Sequence, residues 1–269
     1  MRLFLFFPAL LAALACTAFA ADNRLTSEEK KAGWQLLFDG YTFTHWRDPA
    51  KETPPGDSWA IENGTLTTRL NPRNEQDLIS ARSYGDFELQ FDWKVAEVAN
   101  TGLKYRLQRT VSLDPAGPGS FEAHVQREID NPTGARVQEY TVAYEMQLID
   151  DLRHPDAKKD ENHVTGALYS MLAPVRKPAH PAGEWNTARL LVKGQHFEHW
   201  INGELALSGQ LDDPAGLANL KKRWAEGPAV YDLLAHAKLN GQITLQHHGD
   251  RVWFRNLKIR DLKPEPLRF

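Results

Sequence analysis

Residues 144–157 read YEMQLIDDLRHPDA and place Glu145, Gln147, Asp150, Asp151, His154 and Asp156 in one short stretch. Carboxylates and an imidazole can move protons near neutral pH. The stretch is therefore either a catalytic edge or a strand running out into a polar loop. Period-two alternation sets Tyr144, Met146 and Leu148 on one face and Glu145 and Gln147 on the other. The same alternation in TGLKYRLQ opposes Leu103, Tyr105 and Leu107 to Lys104, Arg106 and Gln108. In ITLQHHG, Ile243, Leu245 and His247 oppose Thr244, Gln246 and His248. Three strands thus offer a polar face carrying cations, an acid, amides and an imidazole. A half-exposed antiparallel sheet commonly has one polar face, so simple solvation is the plain alternative. Glutamine is a middling strand residue, and Gln108, Gln147 and Gln246 in strand centres favour a hydrogen-bonding sugar site.

Beyond the strand, His154-Pro155 reads as a helix start, with His154 near the N-cap and proline at the first helical position. Asp150 and His154 then fall in the corner where a loop can turn side chains over the polar face, while Asp151 and Arg153 read as solvated. Glu, Asp and His suit a divalent metal, but no HxH or HExxH spacing supports one. No metal ligand is assigned, and a divalent ion stays open as a cofactor. Of the eight tryptophans, Trp34, Trp46, Trp59 and Trp93 are expected in the core. Trp200, with His199 beside it, and Tyr169 at the end of TGALY are candidates to wall a pocket, where a ring can stack on a pyranose. The chain has no GxSxG elbow, no GxxxxGK[ST] loop and no strand-GxGxxG-helix unit, which removes the serine hydrolase, nucleotide hydrolase and dinucleotide readings.

The elements that must position these residues are mostly strands. SWAIENGTLTT, FELQFDWKV, GLKYRLQ, YTVAYEMQLID, TARLLVKG, HFEHWINGELAL, GQITLQHHG and VWFRNLKIRDL are strand-sized segments bounded by turn residues. Asn63-Gly64 and Asn202-Gly203 mark two hairpins. Helical pieces are expected over Thr26 to Ala32, just after His154-Pro155, and over Pro214 to Ala237 with a break at Gly227-Pro228. The pattern is an antiparallel all-β sandwich with short peripheral helices. Residues 114–136 read as a long loop or excursion. With 269 residues, 42% hydrophobic and 25% charged, the chain has ordinary globular composition.

Met1-Arg2, the apolar run LFLFFPALLAALA and Ala18-Phe19-Ala20 form a signal-peptide pattern over residues 1–20. One domain is expected over 21–269, exported to the periplasm or beyond, with no transmembrane segment in the mature chain. Lipid anchoring at Cys16, the single cysteine, ranks second. Cleavage after residue 20 would leave no disulfide or thiolate chemistry. Losing Arg2 reduces the 32 basic residues to 31 against 35 acidic ones, a net charge of −4, so no basic excess points to nucleic acid.

In order along the chain, GWQLLFDG (33–40), WAIENGTL (59–66), YGDFELQFDWK (84–94), NTGLKYR (100–106), YEMQLIDDLRHPDA (144–157), TGALY (165–169), GEWN (183–186), HWING (199–203) and GQITLQHHGDRVWFRNLKIR (241–260) resemble the bacterial 3-keto-disaccharide hydrolase domain family. The resemblance runs from about Gly33 to Leu262. It implies a concanavalin-like jelly roll that acts on glycosides oxidised to a ketone at ring carbon 3. By position it adds Arg106, Glu145, Gln147, Asp150, His154, Asp156, Tyr169, Gln246, His248 and Arg255 to the site. The chain departs from the family pattern in the 114–136 excursion and at Lys221-Lys222-Arg223-Trp224. The implied chemistry is removal of the acidified C2 hydrogen and expulsion of the C1 oxygen, followed by hydration. Glu145 or His154 is then the base, Arg106 with Lys104 stabilises the enolate, and Asp150 fixes the imidazole or holds a metal. A carbohydrate substrate and a functional link to a sugar 3-oxidoreductase follow. An ordinary two-carboxylate glycosidase and a non-catalytic carbohydrate-binding module are the rival readings.

Overall fold

The computed structural model describes residues 22–47, 56–73, 75–114, 127–128, 138–224 and 228–262. The expected signal segment with Cys16 and most of the 114–136 excursion lie outside these residues. After a short helix α1 (Ser27–Lys31) come strands β1 (Gln35–Leu36), β2 (Trp46–Arg47), β3 (Trp59–Glu62), β4 (Thr65–Thr68), β5 (Leu78–Tyr84), β6 (Phe87–Val95), β7 (Asn100–Asp114), β8 (Arg127–Glu128) and β9 (Gln138–Ile149). Then follow β10 (Asn186–Lys193), β11 (His196–Ile201), β12 (Glu204–Gln210), helices α2 (Pro214–Arg223) and α3 (Pro228–Ala235), and strands β13 (Gly241–Leu245) and β14 (Val252–Asp261).

These strands make two antiparallel sheets. The back sheet runs β12-β11-β10-β6-β14-β4-β3, with β1 on β14. The front sheet runs β2-β5-β13-β7-β8, with β9 also on β7. Together they form a jelly-roll, concanavalin-like sandwich. Alternation explains why they pack: on β6, Phe87, Leu89, Phe91, Trp93 and Val95 are buried, while Gln90, Asp92 and Lys94 between them are only half-buried. The Asn63-Gly64 and Asn202-Gly203 pairs sit at positive φ between β3 and β4 and between β11 and β12, as two-residue hairpin turns require. Trp34, Trp46, Trp59 and Trp93 are buried.

The helices are short and local. Thr26 and Glu29 form a reciprocal capping box on α1. Asp213 caps α2 by accepting the Ala215 and Gly216 N–H groups, with Pro214 in the first turn. The turn after His154 is a 3-10 helix starting at Asp156, one residue later than expected. Just before it, the His154 ring accepts the Asp156 N–H at 3.0 Å. Among the described residues, no helix is long and apolar enough to cross a membrane.

Candidate functional site

The centre of the front sheet is a grid of side chains two deep and three strands wide. Thr244 of β13 pairs with Lys104 of β7, which pairs with Glu145 of β9. In the next outward-facing row, the Gln246 N–H bonds the Gly102 carbonyl at 3.0 Å, and Gly102 pairs with Gln147. Gly102 leaves the middle of that row empty, and the Glu145 carboxyl leans into the gap. A Cβ at Gly102 would lie 2.0 Å from Glu145 Oε1.

The grid is buried although it faces away from the sandwich core. Residues 165–169 dock along the free edge of β9, with the Gln147 N–H on the Ala167 carbonyl at 3.1 Å and the Tyr169 N–H on the Glu145 carbonyl at 2.9 Å. Glu145 and Gln147 are therefore only 4% and 1% exposed. Burial raises the pKa of Glu145, and the charges of Lys104, His248 and Arg223 temper the shift. Its carboxylate accepts no hydrogen bond among the described residues. Burial also works against the Lys104 ammonium, but Asp77 and Glu145 outweigh it and its pKa is raised. Lys104 Nζ donates to Asp77 Oδ2 at 2.9 Å and to Thr141 Oγ1 at 2.8 Å. Around the grid, Gln147 Oε1, Gln246 Oε1 and Thr244 Oγ1 are buried without a hydrogen-bond partner among the described residues. Unsatisfied buried oxygens on one polar face suit the hydroxyls of a sugar.

Two walls flank the grid along β9. At its far end Asn100 accepts from Gln147 Nε2 at 3.1 Å, donates from Nδ2 to Asp156 at 3.3 Å, and sends its backbone N–H to Asp250 at 2.9 Å. The His154 and His248 rings stand 6.0 Å apart, and His248 Nδ1 is 3.8 Å from Asp250 Oδ2. Desolvation opposes the His248 charge, yet Asp250, Asp156 and Glu145 outweigh it and raise its pKa. The pKa of His154 is lowered by burial and, further, by His248. His154, His248 and Asp250 place one ligand atom each within 4.8 Å of one another, the one such group among the described residues. This mixed nitrogen and oxygen set fits a borderline divalent ion. At the near end the Arg223 guanidinium lies 5.1 Å from the Tyr169 ring and 5.6 Å from the Trp224 ring. Tyr140 meets Trp224 at 5.3 Å and Lys104 Nζ at 5.2 Å.

Several residues expected in the site lie elsewhere. Arg106 does not share the face of Lys104, because β7 bulges between Tyr105 and Arg109 and Arg106 takes a φ of 54°. Its guanidinium is fully buried at the end of the sandwich, donating to the Gly194 carbonyl at 2.7 Å and the Gly85 carbonyl at 3.4 Å. Gln108, within the bulge, binds the Arg106 and Lys238 carbonyls. Asp150 neither orients an imidazole nor joins the metal-competent group. Its carboxylate accepts the N–H groups of Val98, Leu152 and Arg153, which shapes the corner carrying His154. Asp151 is not solvated but half-buried, accepting the Thr165 N–H at 2.8 Å.

His199 points into the core, with Nδ1 on the Gly166 carbonyl at 2.9 Å and the Tyr105 hydroxyl on Nε2 at 3.2 Å. Burial lowers its pKa to about 4. Trp200 and Arg255 lie on the outer face of the back sheet. Trp200 donates to Glu198 at 2.7 Å, and Arg255 is paired with Asp92 and Asp22 while stacked on Trp185. A surface cavity of about 490 Å³ on that face is lined by Trp200, Arg189 and Lys258, but not by any residue of the grid. Arg189 is bound there to Glu88 and Glu198, and Lys258 to Glu29, so the charges are already paired.

Sequence reasoning missed Asp77, Asn100, Asp250 and Arg223. The last carried one signal, since it lies in the segment where the chain departs from the family pattern.

Residues 33–260 match the 3-keto-alpha-glucoside-1,2-lyase-like domain. A 3-keto-disaccharide hydrolase of Bacteroides thetaiotaomicron is 32% identical over 247 residues, which cover 86% of this chain and 79% of the relative. The crystal structure of a candidate glycosyl hydrolase of Parabacteroides distasonis superposes with a TM-score of 0.66 at 28% identity, covering 90% of this chain and 100% of that one. A second candidate from that organism reaches 0.60 at 21% identity over 85% and 99% of the two chains, a likeness of fold alone. With a match spanning most of its length, the chain belongs to the 3-keto-alpha-glucoside-1,2-lyase-like domain family and is an enzyme of glycosidic-bond cleavage.

Proposed function

We propose that the protein cleaves 3-keto-glycosides by elimination and hydration, with Glu145 as the base. The observation that carries this reading is the Glu145 carboxyl itself: buried, free of hydrogen bonds among the described residues, raised in pKa by that burial, and held over the gap at Gly102. Desolvation makes a carboxylate a stronger base, and a strong base is what removal of a hydrogen from carbon needs. His154 is the weaker candidate, because its Nδ1 already accepts a backbone N–H.

In the step proposed, Glu145 takes the hydrogen from C2 and the C–H electrons form an enolate whose charge rests on the C3 oxygen. The enolate collapses, restores the ketone, forms a C1–C2 double bond and expels the C1 oxygen, which takes a proton from solvent while Glu145 returns its own to solvent. Water then adds, its hydroxyl to C1 and its hydrogen to C2, giving net hydrolysis. Lys104 stabilises the anion through space from beside the base. A divalent ion bound by His154, His248 and Asp250 would supply Lewis-acid polarisation of a nearby sugar oxygen.

The test is incubation with 3-keto-trehalose or 3-keto-sucrose and with the unoxidised sugars. Cleavage of the keto sugars alone is expected, and Glu145→Gln should lower turnover by about 10²–10⁴-fold while binding persists. Cleavage of the unoxidised sugars as well would indicate a two-carboxylate glycosidase, and binding without turnover a binding module. Dialysis against EDTA decides whether an ion at the two histidines shares the work.

A further inference from the structure

The grid has one base and two chemically different ends, and resting on the reading just proposed, the structure assigns a direction to the sugar. We infer that Arg223 is a catalytic residue that grips the oxygen on C3, so that the reacting ring lies with C3 toward α2 and C1 toward the His154–His248 wall.

Arg223 closes α2, and its guanidinium is stacked on Tyr169 at 5.1 Å and set beside Trp224 at 5.6 Å. Its Nε is buried without a hydrogen-bond partner, and among the described residues no carboxylate or carbonyl engages the group. Other half-buried arginines of this chain are bound to acids, as Arg189 is to Glu88 and Arg260 to Glu88. A cation stacked on one side and otherwise unbound is held ready for a charge that the protein itself does not provide. The Tyr169 ring that carries it belongs to the segment docked on β9, where the Tyr169 N–H bonds the Glu145 carbonyl at 2.9 Å.

The order of ring atoms then fixes the geometry. C1, C2 and C3 are consecutive, so with C2 over Glu145 the groups acting on C1 and C3 stand on opposite sides of that carboxyl. The C3 oxygen gains a full charge and returns it without keeping a proton. The departing C1 oxygen must collect one. A guanidinium keeps its protons at any working pH, and so serves the first oxygen and not the second. Arg106, assigned this task by resemblance, is spent on the Gly194 and Gly85 carbonyls.

The experiment compares two leaving groups and one partial reaction. Wild type, Arg223→Met and Arg223→Lys are assayed with 3-keto-trehalose and with 4-nitrophenyl 3-keto-glucoside of either anomer. Exchange of the C2 hydrogen in heavy water is followed by NMR. Arg223→Met should lower kcat by about 10²–10³-fold on both substrates alike and slow C2 exchange with it, while Arg223→Lys recovers part of both. Loss on the sugar leaving group alone would place Arg223 at C1 and overturn the assignment. So would wild-type exchange in Arg223→Met, or a loss accounted for by unfolding in the melting curve. If wild type cleaves neither keto substrate, the reading of the site falls, and this inference with it.

Discussion

On the role proposed for Glu145, Gly102 does as much for the chemistry as the charged residues around it. Adding a methyl group there puts a carbon 2.0 Å from Glu145 Oε1, and the carboxyl must swing out of the grid. Gly102→Ala should therefore lower turnover of a keto sugar by about the factor expected for loss of the base, roughly 10²–10⁴-fold, with the melting temperature changed by only a few degrees. Activity and thermal melts on one preparation check both halves. At this scale much of the site was legible beforehand. Period-two reading places Lys104, Glu145, Gln147, Thr244, Gln246 and His248 on one face, and the structure brings the first five together in the grid and sets His248 in the wall beside it. It failed at Arg106, because a bulge with an arginine at positive φ has no glycine or proline to announce it.

Among the elements, β11 shows what alternation cannot tell. It separates the two faces of a strand, but not which sheet the strand joins. His199 and Trp200 sit in the back sheet, one facing the core and the other facing outward, and neither reaches Glu145. The inward histidine has a consequence for stability. Its pKa falls from 6.5 to about 4 on burial, so between these values the unfolded chain binds a proton that the folded chain refuses. Stability is then full above pH 6.5 and declines as pH falls toward about 4, by roughly 3 kcal/mol from this residue. Urea unfolding across that range should show a shallower acid decline in His199→Gln than in wild type, even if the variant starts lower at neutral pH. Arg223 escaped sequence reading for a related reason. It comes from a helix between β12 and β13, and only tertiary packing carries it to Tyr169.

The whole molecule is two sheets held at one end by Arg106. From the β7 bulge in the front sheet, its guanidinium reaches the carbonyls of Gly194, in the β10–β11 turn of the back sheet, and of Gly85, in the β5–β6 turn. Gly241 packs against this bulge so closely that a Cβ would lie 2.6 Å from backbone atoms of Arg106 and Leu107. Arg106→Met should cost about 2–4 kcal/mol in urea unfolding, since two part-buried carbonyls and the Asp86 carboxylate lose their cationic partner. It should leave kcat per folded molecule unchanged, an outcome opposite to that of a catalytic arginine. Fold class was readable from strand-sized segments and two Asn-Gly turns, whereas this clasp depends on a strand bulge and two turns distant from one another in sequence. The empty square at Gly102 reaches further than one active site. A chain that kept this sandwich and its sugar-facing amides but carried any side chain at that square would have no room for the carboxylate. On the role proposed for Glu145, one methyl group at residue 102 separates cleaving a sugar from merely holding it.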